Sequence, residues 1–299
     1  MKRIIYNGKS LTFGGLSISS PQENNKMAGS GTELDPYIIT NLDQLQMMND
    51  DMNAYYKLGN DINASASHVW TNGFEPIGKQ TPSESQFNGY LDGQNFIINN
   101  LYINRPTTND VGLFGYTDRN YSQPKSYVKN LGLTNIDFTG GYRTGGLIGR
   151  STSEINNCFV TGKVTGDAGN SVVAGFIGQS LEPISNCYVI VDINSNFEGA
   201  GFVSFNNELT TNCYSVGEIT GTTKSGFCID SIGHGDGEVN GCFWDTDVSN
   251  ILTSDGGTGK TTSEMKTEST FTDISWDFST IWDISGLINS GYPFLQTVN

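Results

Sequence analysis

The chain has 299 residues, 36% of them apolar and 16% charged, with 37 glycines, 13 tyrosines and 16 phenylalanines. That is a thin supply of core for a compact globule and a rich supply of turns and strands, which favours an elongated all-β architecture. A net charge of −15 speaks against nucleic acid and against an anionic membrane surface, and no apolar run reaches the length of a membrane span.

From the N-terminus, Lys2-Arg3 is followed by only three apolar residues before Asn7-Gly8, so there is no signal-peptide core. Residues 3–13 alternate around Asn7-Gly8 and predict a hairpin with a type I′ turn. Residues 14–32 are rich in Gly and Ser and read as a linker. A strand is expected at Pro36–Ile39. After it, Asn41 and Gln44 form a capping-box pattern, with Leu42, Leu45, Met48 and Met52 at helical spacing. Such a helix would cover the open end of the first coil.

Internal repeats dominate the rest. A glycine-bounded tetrad recurs as Gly112-Leu-Phe-Gly115, Gly146-Leu-Ile-Gly149, Gly175-Phe-Ile-Gly178, Gly201-Phe-Val-Ser204 and Gly226-Phe-Cys-Ile229. A second pattern sets an aliphatic residue three before a Cys or Leu, usually with Asn between. It occurs at Ile98–Leu101, Val128–Leu131, Ile155–Cys158, Ile184–Cys187, a degenerate Thr210–Cys213, and Val239–Cys242. Short alternating segments recurring roughly every 30 residues suit three strands and three turns per coil, hence a right-handed parallel β-solenoid of triangular section. An antiparallel sandwich is the alternative. In the solenoid, Leu101, Leu131, Cys158, Cys187, Cys213 and Cys242 form one inward column, and Asn100, Asn130, Asn157, Asn186 and Asn212 occupy corners where left-handed geometry is tolerated. Residues 33–260 are then the solenoid with its N-terminal cap. Residues 261–299, with Trp276, Phe278, Trp282 and Tyr292-Pro-Phe-Leu295, are the C-terminal cap.

These segments resemble GLUG-motif proteins. The resemblance runs over roughly residues 29–295 and includes Gly29–Ile39, Tyr55–Ile62, Phe74–Gly78, Phe87–Gly93, Cys242–Asp245 and Gly256–Thr262. It implies a β-helix of large bacterial surface and adhesin-like proteins, with no established chemistry of its own.

Possible chemistry is sparse. Gly259-Lys260-Thr261 lacks the upstream glycine of a phosphate loop, since position 254 is Ser. Asp245, Asp247 and Ser249 open like a calcium loop, but positions six and twelve are Asn250 and Gly256. A site from Asp245, Asp247 and Asp255 is a weaker alternative to a polar corner. The five cysteines contain no C-x2-C pair and read as free structural thiols. His68 and His234 stand in no nucleophile arrangement. Glu154, Glu182, Glu208 and Glu238 recur beside the ladder and could form the carboxylate stripe of a polysaccharide-degrading enzyme.

The leading expectation is a non-enzymatic structural or adhesion protein without cofactor or metal, specifically a bacteriophage virion component of the tail or surface. Ile4, Tyr6, Leu11 and Phe13 would add the hairpin to a sheet of another virion or surface protein, exposing the solenoid to a host receptor or glycan. A secreted or cell-surface bacterial adhesin is the alternative.

Overall fold

The computed structural model describes residues 4–6, 9–11, 26–80, 86–118, 125–229 and 237–298. It is a parallel β-solenoid. Among the described residues, 16 strands form one sheet, joined on the other faces by two four-stranded sheets. One coil runs from Thr144–Gly145 to Ile148–Ser151 and then along the bent strand Glu154–Gly166, before Val172–Ala174 begins the next coil. Each strand pairs in parallel with its equivalent one coil away, as in Ile148 against Phe114 and Ile177, and Ile177 against Val203.

The tetrads stack as expected. Leu113, Leu147, Phe176, Phe202 and Phe227 are all fully buried, and the last three rings follow one another at 4.8 Å. Most of the bounding glycines are required for space rather than for unusual backbone angles. A Cβ on Gly146, Gly175 or Gly201 would stand 2.4, 2.3 or 2.0 Å from the carbonyl oxygen of the glycine one coil on. No side chain fits there.

The cysteines form an inward column. Leu131 pairs with Cys158, and the pairs flanking Cys187, Cys213 and Cys242 keep constant register. All four cysteines are buried and free. Each thiol donates to the carbonyl two residues back, at 3.3, 3.1, 3.1 and 3.4 Å, so these small apolar side chains leave no polar hydrogen wasted. Burial pushes the Cys158 and Cys213 thiols well above their ordinary range.

Leu101 does not belong to this column. The rung offset at that level is 35 residues, because Leu133 pairs with Ile98 and Asp137 with Tyr102, which places Leu101 beside Ile136. The solenoid has two left-handed asparagine corners, and Ile98–Leu101 builds the second one. Asn100 (φ 61°) stacks on Asn135 (φ 52°), whereas the first corner holds Asn130, Asn157, Asn186 and Asn212 at φ 52–53°. Within that corner Asn157 Nδ2 donates to Asn130 Oδ1 at 3.3 Å and Asn212 Nδ2 to Asn186 Oδ1 at 3.5 Å.

The N-terminal segments also differ from the expected linker and capping box. Ala28 bridges Ile38, and Tyr55 N–H donates to Gly31 O, so residues 28–31 are part of the solenoid rather than a linker. Gly29 and Gly31, at φ 93° and 76°, turn the chain back over Pro36 and Tyr37. Residues 14–25 lie outside the described residues. The helix Leu42–Gln46 is short and continues as a 3-10 turn, Met47–Asp50. Asn41 caps it, but Gln44 Oε1 reaches the N–H of Thr40 rather than that of Asn41. Leu42, Leu45 and Met48 join the inner core and plug the tube. The hairpin strands Ile4–Tyr6 and Lys9–Leu11 pair antiparallel, while Asn7, Gly8 and Phe13 lie outside the described residues.

Residues 261–298 do not close the other end. They lie along the side of the tube, against an outward-facing column of Phe159, Tyr188, Tyr214 and Phe243. The first three rings stack at 4.8 and 5.1 Å with planes 2° apart. Met265, Phe271, Trp276, Trp282, Tyr292 and Leu295 cover them, and Tyr214 Oη donates to Pro293 O. An apolar column exposed on four rungs needs a cover more urgently than the tube end, where Trp244 and Ile251 already complete the inner core.

Gly201→Ala should lower stability by about 2–3 kcal/mol, since backbone must move to admit the methyl group. Gly169→Ala, where a Cβ meets nothing within 4 Å, should be neutral. Urea unfolding midpoints of the two variants check the contrast.

Candidate binding surface

The carboxylate stripe resolves into ion pairing. Lys125 Nζ lies 2.8 Å from Glu182 Oε2 and 3.3 Å from Glu154 Oε1, and the Glu182 side chain is only 7% exposed. One cation thus bridges the two carboxylates. Glu208 and Glu238 are solvent-exposed, as is His68, whose ring stacks on Tyr102 at 4.4 Å. His234 lies outside the described residues.

The other motifs have structural roles. Asp245 is fully buried. Its Oδ1 accepts from the N–H groups of Asp247 and Val248, capping the short helix Thr246–Ser249, and its Oδ2 accepts from Thr262 Oγ1 and Tyr292 Oη. These bonds tie the lateral segment to the last coil, and no group of His, Cys, Asp and Glu among the described residues is arranged to hold a metal ion. Gly259-Lys260 sits in the strand Thr258–Lys260, beside Phe243–Asp245. Thr261 caps the next helix in a box with Glu264, which puts a carboxylate where a phosphate would go. Buried Asp110 makes a two-pronged ion pair with Arg143, at 2.6 and 3.1 Å. Burial pushes the Asp110 carboxyl upward against the opposing pull of Arg143.

Past the second corner, the outer face of the large sheet is regular. Ile103, Phe138, Val164, Ile193 and Ile219 point inward and are buried. The residues on either side of them point out: Tyr102, Asp137, Lys163, Asp192 and Glu218 in one column, and Asn104, Thr139, Thr165, Asn194 and Thr220 in the other. Thr220 Oγ1 donates to Asn194 Oδ1 at 2.9 Å. Five rungs at about 4.8 Å make a polar strip roughly 19 Å long. The corner itself holds a groove of about 610 Å³, lined by Asp61, Asn63, Ile97, Asn99, Thr134, Asn135 and Thr161. A second groove, near 490 Å³, lies beside the N-terminal plug and is acidic, with Asp43, Asp50, Glu75, Trp70 and Arg105. Neither groove was visible in the sequence, since each gathers residues from three or more coils.

With this geometry in place, comparisons with known proteins become informative. Residues 140–165 match the family model of the GLUG motif, the stretch holding the second tetrad and the first ladder cysteine. Halomucin of Haloquadratum walsbyi is 35% identical over 176 residues, covering 54% of this chain and 2% of that protein. A protein of Evansella cellulosilytica, provisionally described as a Gly-rich membrane protein, is 30% identical over 143 residues, covering 44% of this chain and 15% of its own length. The chain thus spans a small part of these curated relatives. Among solved structures, a Bacteroides ovatus protein provisionally named an immunoglobulin A1 protease superposes with a TM-score of 0.60, covering 91% of this chain and 95% of that one. At 18% identity the likeness shows a shared fold only.

The hydrogen bond to Glu182 raises the Lys125 ammonium above the ordinary lysine range. Its stabilising contribution is therefore complete below the unfolded value near 10.5 and is lost as pH rises through the higher folded value. Lys125→Met should be clearly less stable than wild type at pH 8, with the gap narrowing toward pH 11.5 in urea melts at both pH values.

Proposed function

We propose that this chain is a non-enzymatic adhesive module of a secreted or cell-surface protein. The observation that carries the reading is the pair of ordered polar columns on the outer face, together with the capture of Glu154 and Glu182 by Lys125. A parallel solenoid presents the same side-chain position every coil, so one surface can meet an extended partner at many points, each weak, that sum to firm attachment. The relatives are a halomucin and a protein described as a Gly-rich membrane protein, which supports the surface reading over the virion role expected from the N-terminus. The fold neighbour's name points to proteolysis, but its 18% identity transfers no activity.

Fluorescently labelled full-length chain should bind immobilised cell-envelope polysaccharide without releasing reducing ends, and Glu154→Gln with Glu182→Gln should leave that binding intact. Sugar release that disappears in the double variant would establish an enzyme instead, and failure to bind any envelope preparation would refute adhesion.

In this reading residues 1–13, through Ile4, Tyr6, Leu11 and Phe13, attach the solenoid by strand addition to a larger parent protein or particle. Deleting them should abolish attachment and leave the far-ultraviolet spectrum unchanged; attachment by the truncated chain would show that the anchor lies elsewhere.

A further inference from the structure

We infer that the corner groove of Asn63, Asn99, Thr134, Asn135 and Thr161 binds a neutral, linear glycan lying along the solenoid axis. The inference deepens the adhesive reading and rests on it.

The groove's chemistry is set by register. Asn63 pairs with Asn99, Asn99 with Thr134, and the offset carried by Leu133 and Val160 sets Thr134 beside Thr161. Four consecutive coils therefore place an amide or hydroxyl side chain at the same outward position, over three rung spacings or about 14 Å. Alternation along the strands decides that these side chains face outward, because the neighbours Ile62, Ile98, Leu133 and Val160 are buried. The repeat thus offers one hydrogen-bonding group per rung to anything laid along the axis.

The groups are already held in place. Asn99 Oδ1 accepts from Thr134 Oγ1 and from Asn135 Nδ2, both at 2.9 Å, and Thr161 Oγ1 accepts from the Asn135 N–H at 3.2 Å. Asn135 can take part because its backbone is left-handed, with φ 52°, which brings the amide of a corner residue back over the previous rung. Side chains fixed in this way lose little further freedom when a ligand arrives. Amides and hydroxyls that both donate and accept suit sugar hydroxyls, which do the same. Half-buried Ile97 supplies an apolar wall for the C–H face of a ring.

Charge narrows the class. Among the described residues Asp61 is the one ionisable side chain lining the groove, and its Oδ1 already accepts from the Ile97 N–H at 2.9 Å. With no cation in the lining and −15 on the whole chain, an acidic polysaccharide would be repelled rather than held. The groove near Trp70 is more heavily charged, with three carboxylates and one arginine, and serves as an internal control.

The test is calorimetric titration of the full chain with three neutral hexamers, of β-1,4-linked glucose, β-1,4-linked N-acetylglucosamine and α-1,4-linked glucose, and with a galacturonate hexamer. At least one neutral hexamer should bind and galacturonate should not. The Asn99→Ala/Thr134→Ala variant should weaken binding at least tenfold with an unchanged thermal midpoint, while Trp70→Ala should not alter it. Should the double variant misfold, Thr161→Lys places a long side chain over the groove at a single half-buried position and should block binding equally. If no neutral hexamer binds, if galacturonate binds better, or if loss follows Trp70→Ala and not the groove variants, the assignment is overturned. Envelope binding that survives the groove variants would sink this inference and leave the adhesive reading standing.

Discussion

Everything in this molecule depends on parallel backbone pairing between consecutive coils. At a spacing of about 4.8 Å every residue lies against its own equivalent, above and below, so sequence period becomes spatial column. Whatever one rung tolerates, the next must tolerate too. The tetrad glycines state the constraint most severely: the carbonyl of one occupies the space where the Cβ of the previous one would be. The same rule turns single residues into stacks, of phenylalanine beside the tetrads, cysteine on the inner ladder and asparagine at the corners.

Alternation along each strand then divides labour between the two sides of the ribbon. In the segment Cys158-Phe159-Val160, the first and third residues enter the tube and the second faces out. Repeated over Tyr188, Tyr214 and Phe243, that second position becomes an aromatic stripe too apolar to leave in water. Residues 261–298 answer this need. Trp276, Trp282 and Tyr292 are cover for a wall, and the buried Asp245 carboxylate pins the segment to it through Thr262 and Tyr292. Burial and the Asp245 carboxylate together push the Tyr292 phenol upward, which keeps it a hydrogen-bond donor.

On the remaining outer faces the repeat has a different consequence. Where the outward residue is Asn, Thr or a charged side chain, stacking produces polar columns ordered by their own hydrogen bonds. Such a surface repeats one kind of polar group along the solenoid axis at every rung. Two of the expected carboxylates, Glu154 and Glu182, converge on Lys125.

Much of this architecture was legible in the sequence because stacking repeats its demands. The tetrads, the four cysteines and the corner asparagines are local patterns, and each predicts its own column. The reading failed where two places in the fold make the same local demand. Ile98-Asn-Asn-Leu101 looks like another ladder segment, yet Asn100 belongs to the second corner with Asn135, since either bend accepts an asparagine in left-handed geometry. The cover formed by residues 261–298 was read as an end cap because composition says that a segment is apolar and not which surface it meets. Whether Glu154 and Glu182 were a catalytic pair or a salt bridge depended on Lys125, which lies nearly 30 residues from one and nearly 60 from the other. The sequence alone determined which residues repeat and which side of the ribbon they face, because strand alternation and rung stacking are local rules. Only the tertiary structure decided which columns were covered, which carboxylates were paired and where a groove opened, because those depend on chain segments brought together across several coils.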